Sequence, residues 1–350
     1  MSRLLAPSSK ARAGVRAVPA TAGPSHGSAL RRAVHATLAS RAGWSARSLL
    51  RQPGVIVITY HRIGPTSDGL PGLDVDHFRE HMEWIRARCT PVAARELRSL
   101  ADSPPRRRPA VLVTFDDGYR DYREVAYPIL SALGIPALVF VTTAYIDEPT
   151  RLFWWEALAL ALRGTRVPQI EPPWQRGASW PLGTDGANQT FLREAKRHLK
   201  SVAETAKEEA VRSVLALLGV EPSHLVGERR MLSWDDVRST RDITEFGGHS
   251  HTHTILSRLD AGQLEAEVGQ CRDRLEAETG RAPRFFAYPN GGPGDFDDAS
   301  KAALRRHGFD VAFTTIEGTN GPATDWMAVR RFPGHGDASA LAWELAGFGG

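Results

Sequence analysis

The sequence predicts an α/β fold, a barrel of parallel strands with helices outside it. Three observations carry this reading. Short β-branched apolar runs recur along the chain, helical patterns stand between them, and clusters of Asp and His follow directly where the runs end. A (β/α) barrel gathers its catalytic groups at those strand ends.

The first run is Val55-Ile56-Val57-Ile58-Thr59-Tyr60, continuous and apolar as a strand buried on both faces must be. It ends in His61-Arg62-Ile63-Gly64-Pro65, where Gly and Pro signal a loop. A helix is predicted from about Asp76 to Arg88, with Phe78, Met82 and Ile85 on one face. Ala110 to Phe115 and Ala137 to Val141 read as the next strands, separated by a helix around Tyr122 to Leu133. From about Glu148 to Arg230 the rhythm breaks. Phe153-Trp154-Trp155 opens a stretch of Pro/Gly-rich loops and a charged helical segment near Phe191 to Leu218. The rhythm then resumes, so this stretch is expected to be an insertion and not a second domain. Ser233 is predicted to cap a helix. Strands follow at Ile243–Phe246, Phe285–Tyr288 and Val311–Thr314, with helices at Gln263–Thr279 and about Asp298–His307. The expected organisation is a basic extension over 1–52 and one domain over 53–340, with its insertion at about 148–230. No repeat recurs at a fixed period.

Composition narrows the function classes. An apolar fraction of 42% and a charged fraction of 24% suit a globular protein with a sizeable core. Two cysteines, Cys89 and Cys271, with no C-x-x-C pair, argue against a disulfide framework or a cysteine zinc site. No apolar run approaches the roughly 18 residues needed to cross a bilayer. The net charge of +4 hides an asymmetry: residues 1–52 carry nine Lys/Arg and no acid, against 35 basic and 40 acidic residues in the rest. The body offers no basic stripe, so nucleic-acid binding is not expected. The extension lacks the apolar core of roughly 7–15 residues that a secretory signal needs. Its Arg-rich, acid-poor composition fits either a transit peptide or a disordered extension. Ser28 to Gln52 could form an amphipathic helix that packs on the body or makes peripheral membrane contact. Without a visible signal or span, the reading favours a cytoplasmic or membrane-peripheral monomer.

Two clusters carry chemistry. Thr114-Phe115-Asp116-Asp117-Gly118 lies at the C-terminal end of an apolar strand, where adjacent carboxylates each oppose the other's ionisation. A cation beside them removes that cost. Successive residues point in different directions, so one carboxylate could hold a metal while the other faces substrate. The alternative is a helix N-cap with a second acid in the first turn. The second cluster is Gly247-Gly248-His249-Ser250-His251-Thr252-His253. His249 and His253 stand four apart, which on a helix puts both imidazoles on one face and suits zinc or a similar divalent ion. His251 would point elsewhere. Two His and one Asp leave positions open for water and substrate, as in a catalytic rather than a structural site.

T-F-D-D-G followed by H-S-x-x-H resembles the polysaccharide deacetylases of carbohydrate esterase family 4, the NodB homology domain. The resemblance covers roughly residues 54 to 335. It includes Tyr60-His61-Arg62, Pro136 to Val141, Leu232-Ser233-Trp234 and Phe286-Ala287-Tyr288-Pro289-Asn290-Gly291. It implies a distorted (β/α) barrel of about seven parallel strands (NodB-like). Residue by residue, it implies that Asp117, His249 and His253 hold a divalent metal, zinc first, with cobalt, nickel or manganese as alternatives. It further implies Asp116 as general base and the backbone N–H of Asn290 as oxyanion donor. Ser250 matches a small hydroxyl residue that orients the metal-binding loop, though a capping role fits equally.

This chain departs from the family's pattern twice. Relatives carry an Arg two residues before the Pro, orienting the catalytic Asp; here that position is Ala287, with Arg284, Arg330 and Arg331 as possible substitutes. The Leu-x-His motif that supplies a general acid has no clear copy. His335 is nearest by position, and His61, at a strand tip beside Tyr60, shares the catalytic face of a barrel. Tyr119, Trp154 and Trp155 are candidates for contact with sugar rings, whereas Trp234 reads as core.

The expected activity is hydrolysis of N-acetyl groups from amino sugars in an acetylated glycan or glycan precursor. The alternatives are an O-acetyl esterase using the same machinery, for which a missing proton donor would argue, and a non-catalytic glycan-binding relative.

Overall fold

The apolar runs form the strands their composition predicts, and they pair in parallel. The computed structural model describes residues 54–345, apart from 65–69, 71, 104–107, 149, 222–224 and 226–229. The amphipathic segment anticipated at Ser28 to Gln52 lies outside these residues. The strands are β1 (Val55–Tyr60), β2 (Thr90–Pro91), β3 (Ala110–Phe115), β4 (Ala137–Val141), the antiparallel pair β5 (Gln169–Ile170) and β6 (Trp180–Pro181), β7 (Thr244–Gly248), β8 (Phe285–Ala287), β9 (Val311–Phe313) and β10 (Phe332–Pro333). The main sheet runs β10-β1-β3-β4-β7-β8-β9, with β2 beside the start of β3. A parallel bridge from Phe313 to Val329, on the segment entering β10, links the sheet's two ends. This is the distorted barrel of seven parallel strands that the sequence suggested.

Side-chain alternation divides the strands between two cores. Val55, Val57, Leu112, Leu138, Phe140, Phe313 and Val329 cluster inside the barrel. Ile56, Ile58, Val111, Val113, Val139 and Val141 face the outer helices. These helices are α1 (Val75–Arg88), α2 (Leu97–Ala101), α3 (Tyr122–Leu133), α4 (Thr143–Asp147), α5 (Trp154–Gly164), α6 (Asp185–Leu199), α7 (Glu204–Leu217), α8 (Trp234–Ser239), α9 (Ala261–Thr279), α10 (Asp298–Arg306) and α11 (Ala338–Trp343). The first turns of α3 are wound more widely than an α-helix. In α9, Asp260 caps the Gln263 N–H and Gly280 ends the helix in the left-handed conformation. Its Leu264, Val268, Cys271 and Leu275 are buried along one stripe, each worth roughly 1.5–3 kcal/mol if apolar burial is complete. Both cysteines are buried and free. Trp234 is buried in the outer core, with its indole N–H donated to Asp147.

The stretch predicted to be loops before a single charged helix contains α5, the β5–β6 hairpin, α6 and α7. Leu158, Leu162, Phe191, Leu199, Val214 and Leu215 give it an apolar core of its own. The apolar face of α5 packs against α6 and α7. Among the described residues no helix is long and apolar enough to cross a membrane.

Candidate active site

Along β3 the inward positions are Ala110, Leu112 and Thr114, and the same alternation carries Asp116 inward just past the strand's end. Its backbone N–H donates to the Tyr60 carbonyl at 2.9 Å, tying this end to β1. Inside the barrel Asp116 meets Arg331, which no solvent reaches. The guanidinium clasps both carboxylate oxygens, Nη1 to Oδ1 and Nη2 to Oδ2, each at 2.7 Å. Arg331 also donates from Nε to the Thr314 carbonyl at 2.7 Å and lies over the Phe140 ring. Burial alone would raise the Asp116 carboxyl; the Arg331 charge, with His249 and His61 beside it, holds it below the usual carboxylate range.

Arg331 therefore supplies the guanidinium missing at position 287. Arg284 instead pairs with Asp310 at the surface, and Arg330 donates to the Glu317 carbonyl. Ala287 serves differently: its carbonyl accepts the Nδ1–H of His249 at 2.7 Å, which fixes the tautomer and turns a bare Nε2 toward Asp117.

Asp117 points away from Asp116. Its Oδ1 lies 3.3 Å from His249 Nε2 and 3.2 Å from His253 Nε2, yet has no hydrogen-bond partner although buried. The ligand atoms of Asp117, His249 and His253 all lie within 4.8 Å of one another. A buried carboxylate oxygen between two imidazole nitrogens, with no well-aligned hydrogen-bond partner, could hold a divalent cation. Burial opposes charge on Asp117, but both imidazoles hold its carboxyl well below the usual range. Burial also depresses His253 to about 4, so it is neutral, as a ligand must be. His249, next to both carboxylates, is raised despite its burial.

His249 and His253 do not sit on a helix. They converge across a loop after β7, and left-handed backbone brings them together: Ser250 has φ 59° and His253 φ 63°. Asp117 (φ 73°) and Asn290 (φ 60°) complete the set of non-glycine left-handed residues among those described, and all four lie at this site. Such conformations cost about 1–3 kcal/mol each and persist where surrounding contacts over-determine them. Here Ser250 Oγ accepts the Thr254 N–H at 3.2 Å, and the Ser250 and His251 carbonyls accept from Thr143 and Ala144 at the start of α4. His251 turns aside to Thr143 Oγ1 at 2.8 Å. Gly248 completes the approach, since a Cβ there would stand 2.8 Å from Cys271 Sγ. The capping alternative does not describe either acid: Asp116 is held by Arg331, and Asp117 faces the histidines.

A cleft of about 330 Å³ opens over these groups, and Tyr119, Trp154, Trp155, Asn290, Arg62 and Thr315 share its wall with them. Trp155 stacks on Phe153 and reaches the His253 ring, 4.8 Å away. Tyr119 donates its hydroxyl to Glu156 at 3.0 Å and carries the Arg62 guanidinium over its ring, so it is a buried wall more than a free sugar contact. No protein acceptor among the described residues takes the Asn290 N–H. His61 is half exposed in the cleft, its Nε2 3.9 Å from Asp116 Oδ2. His335 is not brought to the cleft. It is 61% exposed on the turn after β10, where its Nε2 lies 4.0 Å from Glu344. Strand β10 ends two residues before His335, and the chain turns away there toward α11. Lys196 and Lys200, on α6 of the insertion, also line the cleft; nothing in the local sequence pointed to them.

Comparison with known proteins agrees with this geometry. The family described as Polysaccharide deacetylase matches residues 103–169 and 185–312, more than half of the chain. YxkH of Bacillus subtilis (strain 168), a protein assigned to the polysaccharide deacetylases, is 34% identical over 115 residues, covering 32% of this chain and 40% of its own length. The Streptococcus pyogenes deacetylase PplD, solved in complex with acetate, superposes with a TM-score of 0.53 at 16% identity, over 81% of this chain and 93% of that one. IcaB from Ammonifex degensii gives 0.53 at 19% identity, over 85% and 97%. At these identities the two structures speak for the fold. Family match, barrel and site geometry together place this chain in the polysaccharide deacetylase family.

Proposed function

We propose that this protein removes N-acetyl groups from amino sugars of a glycan or glycan precursor, with a divalent cation, zinc first, held by Asp117, His249 and His253. The observation that carries this is the bare Asp117 Oδ1 between two imidazoles, beside a second carboxylate clasped by Arg331. A cation held there would supply Lewis acidity, polarising the acetyl carbonyl and acidifying the attacking water. The remaining steps belong to the chain. Asp116 takes the water's proton. Its depressed pKa favours the ionised form, which is the form able to accept that proton. The N–H of Asn290 faces the oxygen on which charge develops. As the carbon–nitrogen bond breaks, His61 gives a proton to the leaving amine, and acetate and the free amino sugar depart. An imidazole in the cleft favours the amide over the ester, because an amine leaves poorly without a proton.

The test is metal content measured with acetate release across N-acetylated and O-acetylated glycans. Close to one equivalent of metal and release from an N-acetylated glycan are expected; metal-loaded protein that frees no acetate from any of them would refute the proposal. His61→Ala is expected to lower kcat roughly 100-fold, and His335→Ala less than threefold. The reverse order would move the acid to His335.

A further inference from the structure

The part of the cleft wall built by the insertion has a charge pattern the deacetylation chemistry does not use. Lys196, in the last turn of α6, and Lys200, which caps its C-terminus, both line the cleft. Neither ammonium has an ion pair or hydrogen bond among the described residues. Their neighbours behave differently. Arg197, on the same turn, faces solvent and pairs with Glu194 at 2.5 Å, and Lys207 pairs with Glu204 at 2.6 Å. A lysine in a last helical turn complements the helix dipole, but that does not require it to face a cleft.

The other charged groups around the reacting centre have partners of opposite sign. Asp116 is neutralised by Arg331, and Asp117 by the cation it is suited to hold. Arg62 lies between Glu156, 3.4 Å away, and Asp121, 3.7 Å away. Glu156 also takes the Tyr119 hydroxyl, and it attracts Lys196 through space without forming an ion pair with it. Lys196 and Lys200 are left as ammonium groups lining the cleft with no ion-pair partner among the described residues, on one side of the catalytic centre. Partial burial depresses the Lys196 ammonium and Lys200 depresses it further; Lys200 is solvent-exposed, and Asp295 and Asp117 attract it through space. A second cavity of about 220 Å³ shares Arg62, Tyr119, Trp155 and Lys196 with the cleft, so Lys196 stands where one space opens into the other.

We infer that the substrate is an anionic glycan: Lys196 and Lys200 bind an oxyanion, phosphate or carboxylate, carried next to the acetylated sugar. This rests on the deacetylase reading and specifies its substrate class. A charge-assisted contact to each lysine fixes the sugar's register, placing one acetamido group over Asp116 and Asp117.

Three probes with the same N-acetylglucosamine unit test this: neutral chitotetraose, a chito-oligosaccharide bearing a 1-phosphate, and an oligosaccharide alternating N-acetylglucosamine with glucuronate. The wild type should prefer one of the anionic probes over chitotetraose by about tenfold in kcat/KM, with the preference falling as salt rises. The phosphate and glucuronate arms tell the two oxyanions apart. Lys196→Met/Lys200→Met should reduce the anionic-to-neutral ratio about tenfold, and Lys196→Arg/Lys200→Arg should restore most of it, which a merely misfolded variant would not allow. An unchanged ratio in the Met variant, or no preference in the wild type, overturns the inference. Probe binding is followed in parallel by tryptophan fluorescence. If no probe yields acetate, the catalytic reading fails, and equal affinities of the wild type and the Met variant for the anionic probes would still sink the lysine site.

Discussion

On the base side of the cleft, a buried carboxylate is matched by a cation that the chain itself supplies. On the metal side, one residue further along, a buried carboxylate is left with an oxygen bare between two imidazoles. Asp116 and Asp117 are equally hidden from water, and both are held as carboxylates, but by different means. The base side is complete within the polypeptide and should fold the same way with or without metal. With a cation held as proposed, the metal side borrows its compensating charge, so its order should follow metal concentration through mass action.

Breaking the two sides one at a time should therefore give different failures. The largest effect is expected from Asp117→Ala: bound metal falls from about one equivalent to near zero, and turnover goes with it. Asp116→Asn should keep its metal while kcat falls roughly 10²- to 10⁴-fold. Metal analysis and kinetics on the same samples decide. A fully active Asp116→Asn would remove Asp116 from the role of base. Loss of metal from that variant would mean the two sides are not separable.

Next in size is the charge inside the barrel. Arg331→Met leaves Asp116 buried without its partner, which costs about 3–5 kcal/mol of stability. The deficit should be the same in metal-loaded and chelated protein, measured by denaturant unfolding. Metal removal itself should lower the Tm of the wild type but not that of Asp117→Ala. The pH dependence from Asp116 has a definite sign. Its folded pKa is depressed, so its contribution is present above the unfolded value of about 3.9 and is lost as pH falls through the lower folded value. Arg331→Met should remove that part of the acid transition.

The contrast between the two sides also shows what the sequence could reveal. Asp117, His249 and His253 were legible because a metal site needs particular ligand types, and residues on tight strand-end loops stay close in sequence. Their convergence was read as a helical turn, because i,i+4 spacing is the familiar way to bring two imidazoles together. The left-handed backbone at Ser250 and His253 achieves the same result, and neither residue type announces a positive φ. Arg331 was only one of three arginines that could have replaced the missing one. It stands 215 positions from Asp116, and only barrel closure through Val329 and β10 brings the two together. The β10 strand is two residues long, too short to leave a periodic signal. His335 was proposed by its place in the chain, and His61 by its place at a strand tip. The structure puts only the second in the cleft, because strand ends share a face and sequence position alone does not.

A second aspartate–arginine contact sharpens the comparison, with the smallest expected effect. Asp121 is half-buried near a guanidinium, but Arg62 Nε is 3.7 Å from its Oδ2, and its Oδ1 has no hydrogen-bond partner. Here burial outweighs the arginine, and the carboxyl is raised to about 7. The sign of the pH effect is the reverse of that for Asp116. Between about 3.9 and 7 the unfolded chain gives up this proton while the folded one keeps it, so stability falls as pH rises through that window. Asp121→Asn has no proton to lose. It should melt close to the wild type at pH 4 and several degrees above it at pH 8, the direction set by the raised carboxyl. The same melting difference at both pH values would show that titration of Asp121 is not its cause. The distance between carboxylate and guanidinium would then not be what separates these two aspartates.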